Sequence, residues 1–307
     1  MKTLKDVCKN CTPATHRVYS TNIRRLYKMF SGGPIKTLDE LPKNSRWLMS
    51  DKLEEAYKKL ENKIRRHSSS AAMIATKLYE IKAENKWAKF MKQDVKEYEE
   101  NRSKNKMSDY ENENIPKGGL AEIKKALRIY RTQIKGIFTK KPSLANLYKW
   151  QFFLSLKLMS TSTPVRNDLP TLDIEQTAKG NHLKRNKNSF TVVLKDFKNS
   201  DKLGAREIKL NRSNNMELNR FLKYRAKLDL KHTKLFSLRS GGPMSKSAFS
   251  QGLIKLTTRL TEKKIGSRLL RVMFATSNKA ILQKADEISK KMLHSKSGKQ
   301  TRQYVKE

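Results

Sequence analysis

The sequence predicts a mainly α-helical protein with a small antiparallel β-sheet, divided into a helical first half and an α+β second half. Three observations predict this. Apolar residues recur at i, i+3, i+4 and i+7 through most of the chain, the spacing that lines one face of an α-helix. One stretch, "SFTVVLKDFKNSDKLGAREIKL", changes character: two β-rich runs flank a polar Asn-Ser-Asp-Lys-Leu-Gly segment, which predicts a hairpin. Between residues 92 and 119 the aliphatics thin into a charged, Asn-rich segment closed by Pro-Lys-Gly-Gly. The halves are therefore expected to be a helical domain at 1–116, with a linker at about 93–118, and a second domain at 117–307.

In chain order, "STNIRRLYKMF" puts Ile23, Leu26, Tyr27 and Phe30 on one face, with Ser20 or Thr21 as N-cap. "SDKLEEAYKKLENKI" repeats the pattern with Leu53, Ala56, Tyr57, Leu60 and Ile64, and Asp51 with Glu54 resembles a capping box. A third helix is expected after the serines at 68–70, through Ile74, Leu78 and Ile81. In the second half Leu120, Ile123, Leu127, Tyr130 and Ile134 line a helix face. Pro142 and Ser143 open the next helix, whose run "LYKWQFFLSLKLM" is apolar nearly all round and so expected to be buried. The turn-like "STSTPVRNDLPTL" and the hairpin follow, then helices at "NNMELNRFLKYRAKL", "SKSAFSQGLIKLTTRL", "SRLLRVMFATSNKAILQKA" and "DEISKKMLH".

Charge narrows the partner. Lysine and arginine number 68 against 29 acidic residues, a formal net charge of +39. Such a surplus repels itself in a compact fold unless a polyanion shares the field. Double-stranded DNA is the expected partner, bound in a salt-sensitive way through its phosphates; an RNA-binding or chromatin-like protein would fit the charge as well. No apolar run of about 18 residues and no lipidation signal occurs, so no membrane partner is expected. No signal peptide opens the chain, which predicts an intracellular setting.

The motifs of common enzymes are missing: no G-x-x-x-x-G-K-S/T phosphate loop, no H-E-x-x-H and no G-x-S-x-G. Carboxylates are too scattered for a two-metal nuclease. Cys8 and Cys11, with His16 nearby, make half of a zinc pattern. No second cysteine pair completes it, so the expectation is a reduced pair near a mobile terminus and no metal or other cofactor.

What the second half does offer is isolated cations in special positions and a tyrosine. "IGSRLLRVMFAT", followed by "MLHSKSGKQTRQY", resembles the second conserved box of the tyrosine recombinase (phage integrase) family, a pattern near G-H-x-L-R-x-x-x-A-T, then L-G-H, then a tyrosine. In this resemblance Arg271 takes the box's arginine, Arg268 the place of its usual histidine, His294 the later histidine and Tyr304 the nucleophile. "STSTPVRNDLPTL" resembles the first box, with Arg166 as its arginine and Leu172 six residues on. The family's hairpin lysine falls on Lys198, with Lys195 and Lys202 as competitors. The first box lacks the family's glycine and glutamate and has Pro164 and Asp168 nearby; Met292-Leu293 precede His294 where the family has Leu-Gly. The resemblance spans about residues 120–307, and the first half resembles the family's core-binding domain at fold level only.

The resemblance implies a helical core-binding domain plus an α+β catalytic domain, clamped around duplex DNA. It implies a site-specific recombinase or integrase that cuts and rejoins DNA through a covalent 3′-phosphotyrosine, without metal or nucleotide, as a homo-tetramer on DNA with accessory DNA-bending or directionality proteins. Arg166 and Arg271 would clamp the phosphate oxygens in bidentate forks, His294 would hydrogen-bond the same phosphate, Lys198 would protonate the leaving 5′-oxygen, and Arg268 would add charge near Tyr304. The alternatives are a type IB topoisomerase-like strand transferase and a non-catalytic DNA-binding protein that kept the fold. The Lys/Asn-rich composition points to a virus-encoded member engaged in viral genome integration, in a host nucleus or a cytoplasmic viral factory; otherwise the expected place is cytoplasm or nucleoid.

Overall fold

The computed structural model describes residues 2–281 and 284, apart from 83, 105, 163 and 188 and the side chains of 101–103 and 138. The expected helix "DEISKKMLH", His294 and Tyr304 lie outside the described residues. The chain folds as two compact units, Met1–Met107 and Ser108–Glu307. Among the described residues no helix is long and apolar enough to cross a membrane.

The first unit is helical: α1 (Leu4–Val7), α2 (Pro13–Ser31), α3 (Arg46–Met49), α4 (Asp51–Lys58), α5 (Asn62–Leu78) and α6 (Lys86–Ser103). α2 starts earlier than the sequence suggested. Thr12 caps it by accepting from Thr15 N, and Pro13 sits in the first turn, where a missing N–H costs nothing. The expected helix from Asp51 to Ile64 is two helices, broken between Lys58 and Asn62, with Ser50 rather than a capping box closing the start of α4. α5 runs straight through the serines at 68–70. Two of their hydroxyls find acceptors without breaking it: Ser69 Oγ donates to Asp94 of α6 at 2.7 Å and Ser70 Oγ to Arg66 O at 2.8 Å, while Ser68 Oγ is buried without a partner.

Asp94 also corrects the linker expected from residue 93. It is 4% exposed and accepts from Ser69, from Arg65 Nε at 3.1 Å and from the Tyr57 hydroxyl. A buried carboxylate with three donors pins α6 against α5, so residues 93–103 are helix. Burial, with Asp94 beside it, pushes the Tyr57 phenol far above its usual range. Around this network Trp47, Tyr57 and Trp87 fill the core, and Trp87 Nε1 donates to Leu48 O at 2.8 Å.

The second unit contains α7 (Asp109–Asn114), α8 (Gly119–Ile134), α9 (Leu144–Thr161), β1 (His182–Asn186), β2 (Ser189–Leu194), α10 (Ser200–Leu203), β3 (Arg206–Lys209), α11 (Arg212–Arg225), α12 (Lys246–Thr261) and α13 (Ser267–Ser277). It begins at Ser108, ahead of the 116/117 boundary read from the sequence, because α7 is bound into it. Tyr110 Oη donates to Lys264 O at 3.1 Å, and Lys264 N donates to Asn114 Oδ1 at 2.9 Å. All five apolar residues named for α8 are buried. α9 is the central helix, capped by Ser143, with α8, α11, α12 and α13 packed around it. Where α12 meets it, Gly252 lies so close to the Phe152 ring that a Cβ would collide with it.

The three strands form an antiparallel sheet in the order β1-β2-β3, with Leu183 opposite Val192 and Val192 opposite Ile208. The hairpin of β2 and β3 is the one the sequence predicts. β1, "HLKRN", carries no β-branched residue; pairing with β2 makes it a strand. Asn215 of α11 ties the sheet to the helices, accepting from Phe190 N at 2.7 Å and donating to Leu210 O at 2.8 Å.

Candidate functional site

The first-box residues follow the end of α9. Pro164, Asp168, Leu169, Pro170 and Leu172 are buried, which anchors the turn to the core and leaves Arg166 exposed above it. α13 contributes Arg268 and Arg271, three positions apart and so on one helix face, while Leu269, Leu270 and Met273 face the core. The loop entering α13 is fixed by Thr257 of α12, whose hydroxyl donates to Ile265 O at 3.0 Å and accepts from Ile265 N at 3.1 Å.

These elements bring Arg166 and Arg271 into one electrostatic neighbourhood. Burial lowers the Arg271 pKa, the positive charges of Arg166 and Arg268 lower it further, and Asp168 opposes them. A guanidinium remains charged regardless, so the shift reports first the burial of Arg271 and then the cations beside it. Asp168, 6% exposed, is also reached by Lys246 Nζ at 3.5 Å. Arg268, two thirds exposed, pairs with Glu111 of α7 at 2.7 Å. The Glu111 carboxyl is held below its usual range by the Ser108 N–H, with Ser108's hydroxyl and Arg268 adding to it. Four cations thus face two carboxylates, and each carboxylate already has a partner.

Lys198 sits exposed on the loop between β2 and β3, and among the described residues no hydrogen bond or ion pair engages it. Its competitors separate. Lys195 Nζ donates to Ala178 O at 2.7 Å and Thr177 O at 3.3 Å, which ties it to the loop before β1. Lys202 is exposed in α10. Among the described residues no hydrogen bond or ion pair joins any of the three to the arginine cluster. Lys246 and Glu111 were not singled out from the sequence, and nothing there marks them: Lys246 is one of 68 basic residues, and Glu111 reads as part of a charged linker.

At the N-terminus, Cys8 and Cys11 are joined as a disulfide rather than left reduced, and His16 lies beside them.

A cluster of two guanidiniums in one field, one of them exposed, can accept a phosphate through several charge-assisted hydrogen bonds. The sequence matches no protein-family model and no curated protein. Its structure is similar to XerH site-specific recombinase bound to palindromic difH substrate in a post-cleavage complex, at 15% identity and a TM-score of 0.52, over 89% of this chain and 72% of that one. It is equally similar to the pre-cleavage complex of XerH with difH, at 15% identity and a TM-score of 0.52, over 92% of this chain and 72% of that one. The fold is accordingly that of the tyrosine recombinases: a helical domain followed by an α+β domain.

Proposed function

We propose that this chain is a site-specific DNA recombinase or integrase that cuts and rejoins duplex DNA through a covalent 3′-phosphotyrosine. The observation that carries the reading is the convergence of Arg166 and Arg271 beside Asp168, from segments about a hundred residues apart that the sequence resemblance had paired. The reaction displaces a 5′-hydroxyl from phosphorus and gathers negative charge on the equatorial oxygens. Preorganised cations are its main requirement. Arg166 and Arg271 supply the bidentate forks, and Lys246 and Asp168 hold that end of the site in register.

Tyr304 is the nucleophile in this reading, His294 donates to the phosphate, and Lys198 protonates the leaving oxygen. Arg268 stands where the family has a histidine. An arginine is a poor general base, and its pairing with Glu111 supports a role in charge and positioning rather than proton transfer. XerH is bound to its difH substrate in both complexes, and the formal charge of +39 supports a duplex DNA partner here. A tetramer on paired sites, assisted by DNA-bending or directionality proteins, follows from the same chemistry, and the Lys/Asn-rich composition favours a virus-encoded member.

The test is a nicked, labelled duplex carrying candidate ends from the protein's own genome, boiled in detergent after incubation. A protease-sensitive adduct absent from Tyr304→Phe is the expected result. Relaxation of supercoiled plasmid by monomers without a preferred site would replace the reading with a type IB topoisomerase. Tight binding without an adduct on any substrate would replace it with a DNA-binding protein that kept the fold.

A further inference from the structure

The cysteine pair takes no part in strand transfer, yet the fold builds a cluster around it. α1 ends at Val7 with Cys8 as its C-cap, and Cys11 N donates to Cys8 O at 3.0 Å, closing a turn over Lys9 and Asn10. Thr12 then caps α2, which places His16 on the first turn of that helix. Two sulfurs and one imidazole nitrogen come within 4.8 Å of one another, all on half-buried residues. Around a tetrahedral zinc, with Zn–S near 2.3 Å and Zn–N near 2.0 Å, such atoms stand about 3.5–3.8 Å apart; opening the Cys8–Cys11 bond lets the sulfurs separate to that spacing, with the imidazole already in reach.

The hydrogen bond made by the imidazole also leaves one of its nitrogens free to bind a metal. Its Nε2 lies 3.1 Å from Cys8 O. A carbonyl only accepts, so Nε2 carries the hydrogen and Nδ1 keeps its lone pair. Metal-bound histidines are commonly fixed in this way, with the second nitrogen donating to a backbone carbonyl. Charge agrees: two thiolates offset a divalent cation, leaving a neutral site in a strongly basic chain, and neighbouring cations such as Lys9 favour the thiolate form.

We propose that Cys8, Cys11 and His16 bind one zinc-class divalent ion when the pair is reduced, with water in the fourth position. A thiol reductant gives two electrons and two protons to the disulfide and is itself oxidised to a disulfide. The ion then displaces the two thiol protons as its sulfur bonds form. The site staples α1 to α2 at the edge of the first unit, where α1 packs on α5 and Lys2 N donates to Leu78 O at 2.9 Å.

The test uses the untagged full-length chain, reduced with a phosphine, loaded with cobalt(II) or zinc and passed through a desalting column. The expected result is about one metal per chain, with an intense near-ultraviolet thiolate-to-cobalt band. The chain contains two cysteines in all, so that band by itself assigns the ligands even where a double Cys8→Ser, Cys11→Ser variant does not fold. His16→Ala should weaken binding tenfold or more, and zinc should raise the melting temperature of the reduced wild type. Reduced protein that keeps no metal, a cobalt complex without the thiolate band, or undiminished affinity in His16→Ala would each overturn the proposal.

Discussion

In the second unit two groups of cations gather around one buried carboxylate each, and they are bonded to it differently. Glu217, 1% exposed, accepts from Trp150 Nε1 at 3.1 Å and from Arg131 at 3.1 Å, with Lys157 Nζ at 3.9 Å. Both its oxygens are used. It joins α8, α9 and α11, which is the work of a structural clamp. Burial lowers the Lys157 pKa while Glu217 opposes the shift, so the ammonium depends on that carboxylate. Asp168 has Lys246 at 3.5 Å, yet Arg166 and Arg271 press on each other across the same site and Arg166 is exposed. Cations outnumber the carboxylate in both groups, but around Glu217 Arg131 and Trp150 are tied to it by direct hydrogen bonds, whereas among the described residues the one ion pair of Asp168 is with Lys246, and the Arg166 guanidinium is left exposed. That exposed charge is what a phosphate would neutralise.

The largest effect that separates the two clusters is expected at Arg271. Arg271→Ala should lower covalent adduct formation by about 10³-fold, as loss of a transition-state donor does, with DNA binding at fixed salt changed far less. Gel-shift and adduct assays on one preparation measure both. Next comes Glu217→Ala, which strands Arg131, Lys157 and Trp150 and should cost about 3–5 kcal/mol in a denaturant melt. Adduct yield per folded molecule should stay at wild type; a specific loss would erase the distinction drawn between the clusters.

Asp168→Asn should have an intermediate effect. It removes the carboxylate that opposes the crowding on Arg271, and adduct formation should fall about tenfold through poorer positioning, the scale of a lost orienting partner. The smallest effect concerns Glu111. Its folded pKa is depressed, so its contribution is complete above the ordinary carboxylate value of about 4.3 and is lost as pH falls through the lower folded value. The melting-temperature difference between wild type and Glu111→Gln should therefore be constant near neutrality and shrink in acid. A difference that grows as pH falls would contradict the assignment.

How much could be read from the sequence depended on how local each signal is. The buried face of α8, the all-round burial of α9 and the β2–β3 hairpin come from periodicity within one segment, and all three are in the structure. The early start of α2, the break before Asn62 and the extension of α6 to Ser103 turn on single polar groups, Thr12 and Asp94 among them, whose partners were not visible in the pattern. β1 exists because β2 pairs with it, a tertiary cause that its own composition does not announce. In the site, Arg166, Arg268 and Arg271 stood out through motif order. Lys246 and Glu111 reach Asp168 and Arg268 across long sequence separations and carry no local mark.

The most direct test of the two-cluster account compares Arg271→Lys with Arg131→Lys in single-turnover adduct formation on a nicked duplex. An ammonium keeps the charge but loses the bidentate fork. The account predicts a fall of about 100-fold or more for Arg271→Lys with DNA binding retained, and for Arg131→Lys a lower melting temperature with wild-type adduct yield. Wild-type cleavage by Arg271→Lys, or a cleavage defect confined to Arg131→Lys, would contradict it.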